Sequence, residues 1–116
     1  MLTAAIAVTL FVAVAHVGFF YLEAILWAKP AGRRIFGMKV EEAEATKVMA
    51  INQGFYNAGV AALLAWAALA PNPPAVVALL GFVVAMGVVG AVTAKGTILF
   101  LQAAPAALAL VLWLLV

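Results

Sequence analysis

Four long apolar runs, at about residues 2–28, 46–70, 74–94 and 97–116, constrain this chain more than any other feature. Each meets the ~20 residues a helix needs to cross the hydrocarbon core of a bilayer. None alternates apolar with polar positions, and Ala and Leu dominate, so barrel strands fit poorly. A helical bundle in water would need polar residues to cover it, and a small chain has much surface for its volume. Of the 116 residues, 70% are hydrophobic and 9% charged, against roughly 25% charged in a soluble domain. The expectation is an all-α, four-helix transmembrane bundle forming one domain, 1–116.

The connections between the runs differ in charge. The first, AKPAGRRIFGMKVEEAEATK, holds Lys29, Arg33, Arg34, Lys39 and Lys47 together with Glu41, Glu42 and Glu44. The second, Pro71-Asn72-Pro73-Pro74, is uncharged, and its prolines stop one helix and can start the next. The third is a tight turn at Lys95-Gly96. In a four-helix serpentine the first and third connections share a side, and they carry every Lys and Arg of the chain. The positive-inside rule puts that side in the cytoplasm, with both termini and the proline turn outside. Ile35, Phe36, Met38 and Val40 can form a short interfacial helix that lets the basic residues meet anionic lipid. A solvated connector fits the same composition.

A net charge of +2 and the lack of a basic stripe interleaved with aromatics speak against nucleic acid as a partner. No cysteine is present, which removes disulfides and thiolate metal sites. One His and one Glu inside the apolar runs are too few ligands for a closed metal site, so none is expected. No cofactor is indicated. The first run is too long for the apolar core of a cleaved signal, and no basic residue precedes it.

Polar side chains inside these runs are costly, and an ionisable one is a functional candidate by default. The first run carries His16 and Glu23, seven residues apart and so on one α-helical face, with Phe20 and Trp27 on the same stripe. The second carries Asn52-Gln53-Gly54-Phe55-Tyr56-Asn57, and the fourth carries Gln102 followed by Pro105. At ~1.5 Å per residue, Glu23 lies ~9 Å from Lys29, Asn52 ~8 Å from Lys47 and Gln102 ~10 Å from Lys95. Asn57, at ~15 Å, and His16, at ~20 Å, extend the series inward. These levels suggest a polar pocket that opens toward the cytoplasm and closes near His16. The competing explanation is interhelical hydrogen-bond glue, worth ~0.6 kcal/mol per group on average. It suits Gln102, Gln53 and Tyr56 better than it suits Glu23. The small-residue ridges Ala50/Gly54/Ala58/Ala62, Gly87/Ala91 and Gly90/Ala94 are expected to pack helices closely.

The line His16…Glu23…Trp27, the later Phe36, and above all Asn52-Gln53-Gly54-Phe55-Tyr56-Asn57 carry a resemblance. The chain resembles, over its whole length, a family of small four-helix bacterial integral membrane proteins catalogued as a domain of unknown function. The resemblance implies a multi-pass fold in the bacterial cytoplasmic (inner) membrane and brings no reaction with it. Small multidrug-resistance transporters are similar in length, helix number and a Glu in the first helix, but the sequence pattern around that Glu is absent here.

Three functions follow. In the first, a small lipophilic molecule binds with its polar head at Glu23, Asn52, Gln53, Asn57 and Gln102. Phe19, Phe20, Trp27, Phe55 and Tyr56 line the apolar part, and Glu23 and His16 are the candidate catalytic groups for proton transfer. Whether the chain is an enzyme stays open. The second is proton-coupled transport of a small cation, with Glu23 as the coupling site and a homo-oligomer supplying the enclosed space. The third is a structural or accessory role in the membrane.

Overall fold

The computed structural model describes residues Met1–Val116 and contains helices and turns, with no strand. Helix α1, Leu2–Phe20, runs on as a π-helical segment, Tyr21–Leu26. A short α2, Pro30–Phe36, is followed by α3, Val40–Leu69, and α4, Pro73–Thr93. A second π segment, Leu99–Ala103, leads into α5, Ala104–Leu115. Three helices are long and apolar enough to cross a membrane: Leu2–Leu26, Val40–Leu69 and Pro73–Thr93. The apolar helix Leu99–Leu115 is shorter.

Two boundaries depart from the sequence expectation. α3 begins at Val40 rather than near 46, because Glu41, Glu42, Ala43, Glu44 and Ala45 tolerate a helix well and the acids favour its positive N-terminal end. Charge there marks the first turns of a helix, not a loop. The connector's own helix lies earlier than expected. Pro30 starts it at the first helical position, and Gly37, at φ +64°, ends it in the left-handed region where glycine pays no steric penalty. Met38 and Val40 therefore fall outside α2.

The second π segment has a chemical cause. Pro105 has no N–H to give the carbonyl of Leu101. One turn earlier the backbone widens, and the Ala104 N–H bonds the carbonyl of Leu99, five residues back. Wider turns of this kind restore hydrogen bonding around helix-breaking residues inside apolar spans.

The chain divides into two compact units. One comprises Met1–Ala15 and Ala62–Val116. Its buried core is built from Thr9, Val12, Leu64, Val76, Leu80, Val83 and Trp113 among small residues such as Ala5, Ala67, Ala106 and Ala109. A β-carbon on Gly87 would meet the Ala103 Cβ and N at 2.9 Å, so α4 touches the second π segment backbone to backbone. Gly90 lies similarly close to Ile98. Inside this core Trp113 donates its indole N–H to Thr9 Oγ1 at 2.8 Å, and Thr9 donates to the Ala5 carbonyl at 2.7 Å.

The other unit, His16–Ala61, holds the end of α1, the first π segment, α2 and most of α3. Gly54 sits where a Cβ would be 3.0 Å from Ala24 and 3.1 Å from the Phe20 carbonyl. One turn earlier on the same ridge, Ala50 is also buried. Phe20 and Phe55 meet edge to face at 5.2 Å. At the charged end, the Trp27 ring contacts Phe36 at 4.8 Å and donates to Thr46 Oγ1 at 2.9 Å. Arg33 reaches back to the Ala28 carbonyl at 2.9 Å. α2 is thus folded down on the end of the span that precedes it.

Candidate functional site

Glu23 lies within the first π segment, and its carboxylate accepts a hydrogen bond from Asn57 Nδ2 of α3. Single-turn π segments interrupt helices rarely and often at functional sites. This one places Glu23, the single carboxylate within the four apolar runs of the sequence, opposite a neutral amide. The two residues come from α1 and α3 and are partly buried.

Beside this pair lies a hollow of about 230 Å³ lined by Glu23, Ala24, Ile25, Trp27, Ala28, Lys29, Glu44 and Lys47. Two carboxylates and two ammonium groups share its wall with an indole and small apolar residues. Glu44 and Lys47 are three residues apart on α3 and so project from one face. Neither lysine is tied to a carboxylate in a salt bridge. The side chains offer hydrogen bonding of both polarities together with ionic attraction of either sign. The chemistry available is polar recognition plus exchange of a proton at the Glu23 carboxyl group.

The residues expected to form a site are distributed unevenly. Glu23, Asn57 and Trp27 are gathered at or beside the hollow. Phe20 packs on Phe55 rather than lining it. Asn52 is exposed and donates to the Val48 carbonyl of its own helix at 2.9 Å. Gln53 is exposed, as is Tyr56 at 74%. His16 is buried, 2% exposed, in an edge contact with Phe19 at 5.1 Å, and it does not line the hollow. Gln102 belongs to the other unit and donates to the Val83 carbonyl there at 3.1 Å.

Depth counting puts Asn52 level with Glu23, yet the bond is to Asn57. Side chains lean toward the N-terminus of their own helix. α1 and α3 run in opposite directions, so the Glu23 side chain leans away from the charged end and the Asn57 side chain toward it. The pair closes the gap that their Cα positions leave. The stripe joining His16 to Glu23 assumed 3.6 residues per turn, and that spacing ends at Tyr21 where the π segment begins. In the sequence Lys29, Glu44 and Lys47 read as connector charges that set topology and, for the lysines, can meet anionic lipid. The i, i+3 spacing of Glu44 and Lys47 is the signal that could have drawn them in. No three His, Cys, Asp or Glu side chains come together as a metal site.

A family model described as "Protein of unknown function (DUF1304)" matches residues 10–114. No curated protein and no solved structure matches the chain.

Proposed function

The chain belongs to the DUF1304 family of proteins of unknown function, and from that premise we propose that it is a four-helix protein of the bacterial inner membrane that binds the polar head of a small lipophilic molecule. The binding place is the hollow beside Glu23 and Asn57, at the cytoplasmic end of the spans. The orientation, with both termini outside, rests on the clustering of all Lys and Arg residues in two connections. The fourth crossing, Leu99–Leu115, covers only ~25 Å, and local thinning of the bilayer accommodates the shortfall.

The observation that carries this reading is the Asn57–Glu23 hydrogen bond in a π-helical segment next to an open, charged hollow. A pair that only joined helices would need no charged recess beside it, and this one has the hollow lined by Lys29, Glu44 and Lys47. Glu23 and Asn57 hold the ligand's polar atoms, Trp27 and Ala28 flank its apolar part, and Lys29 and Lys47 attract any negative charge it carries. Where a reaction accompanies binding, it is proton transfer through Glu23.

Native mass spectrometry of protein extracted from bacterial membranes in mild detergent tests this. Wild type should retain a lipophilic adduct that Glu23→Gln loses with its thermal transition unchanged, since a Gln oxygen can still accept from Asn57. Equal retention would overturn the reading. The pair of carboxylates, Glu23 and Glu44, also supports proton-coupled cation transport by a homo-oligomer, for which proteoliposome flux dependent on a proton gradient is the test. Loss of stability alone in the variant would leave the structural role.

A further inference from the structure

Between Lys29 and Lys39 the chain has four cations and no acid. α2 brings part of this charge to a defined level. Its first residue, Pro30, follows Lys29, whose N–H bonds the Leu26 carbonyl at 2.9 Å. Its last residue, Phe36, is held against the Trp27 ring at 4.8 Å. In between, Gly32 is pressed on the Leu26 and Trp27 carbonyls so closely that no side chain fits, and Arg33 bonds the Ala28 carbonyl. Both ends and the middle of α2 are therefore fixed at the level of Trp27, a residue type that settles at the membrane–water interface. α2 cannot stand away from the surface.

At that level Lys29 and Arg34 are exposed and neither is in a salt bridge. Ile35, beside Arg34, is 54% exposed, an apolar side chain suited to the upper acyl region. We propose that α2 is a binding platform for an acidic phospholipid of the surrounding leaflet, with Lys29 and Arg34 on its headgroup phosphate and Ile35 among its chains. The occupant is a lipid and not a soluble anion, because the cations are held at the level of Trp27, where headgroups stand in the membrane placement proposed above, and the exposed apolar Ile35 adjoins Arg34. Lys39 differs in place. Thr46 shares the Trp27 level through their hydrogen bond, and Lys39 precedes Thr46 by seven residues, ~10 Å further out along the line of α3. That is about one Debye length at physiological salt. The platform rests on the membrane placement proposed above; it shares Lys29 with the wall of the Glu23 hollow, so the test varies Arg34, which belongs to the platform alone.

The test compares variants of equal charge. Wild type, Arg34→Gln and Lys39→Gln are delipidated, titrated with phosphatidylglycerol or phosphatidylcholine in mixed micelles, and read by native mass spectrometry. Wild type should favour phosphatidylglycerol. Arg34→Gln should lower that affinity about 5-fold, and Lys39→Gln less than 2-fold. Equal losses from the two variants would show bulk attraction only, and no preference for the acidic lipid would show no platform; either overturns the proposal. So would displacement of the lipid by millimolar inorganic phosphate. Resistance of the protein to carbonate extraction from membranes separates failure of the platform from failure of the membrane reading.

Discussion

Replacing Gly32 with Ala tests whether α2 is docked as described. The new Cβ would stand 1.9 Å from the Leu26 carbonyl oxygen, 2.5 Å from its carbon and 2.9 Å from the Trp27 oxygen. All three are backbone atoms of the preceding span, which cannot swing aside as a side chain would. Ordinary carbon–oxygen contacts are ~3.3–3.6 Å, so α2 must retreat by ~1.5 Å. The Arg33–Ala28 hydrogen bond, now 2.9 Å, breaks at that displacement, at a cost of ~1.5–3 kcal/mol before solvent screening. The Trp27–Phe36 contact loosens as well, with ~0.5–1 kcal/mol at stake. Against this stands a helix-propensity gain of ~1 kcal/mol for Ala over Gly. The net is ~1–3 kcal/mol against the docked state, or about 5- to 150-fold in its opening constant. Amide hydrogen exchange in micelles should show the 28–38 peptide exchanging faster by that factor while the spans stay protected. Gly59→Ala, where nothing lies within 4 Å, is the control and should leave exchange slow. Unchanged exchange in Gly32→Ala would refute the docking argument.

Two further outcomes follow from single hydrogen bonds. Trp113→Phe keeps the ring in the core but removes the donor to Thr9, and it should cost about 1 kcal/mol of stability in denaturant unfolding from micelles; no loss would mean the bond contributes nothing. A double-mutant cycle on Glu23→Ala and Asn57→Ala should give a coupling of ~1–2 kcal/mol in the same assay, whereas strict additivity would contradict the pairing.

The apolar runs, the proline turn and the exceptional status of Glu23 are all readable from residue type alone, because burying a carboxylate or exposing twenty apolar residues has an unmistakable cost. Other features depend on where the backbone goes. Nothing in Tyr-Leu-Glu-Ala-Ile-Leu announces a π segment, whereas Pro105 does announce a disturbance one turn upstream. The Asn57 partner was obscured because rise per residue locates Cα atoms, not the side chains that lean from them. Gly32 reads as one more small residue in a connector; only the folded-back path of α2 makes it irreplaceable. Thr9 carries no charge and sits in an apolar run, yet it accepts from a residue 104 positions away.

The widened turn from Tyr21 to Leu26 sets the phase between the two halves of the first helix. An α-helix advances ~100° in phase per residue, and a turn closed five residues back instead of four takes up one residue with little of that advance. Regular winding at the same chain length would therefore carry Trp27 about 100° further round. Its indole would no longer point at Thr46, and α2 would be launched in another direction. A chain one residue shorter there could wind regularly and keep Trp27 on its present bearing. The path into the connector is thus stored as a surplus of one residue, indifferent to which apolar side chain fills it.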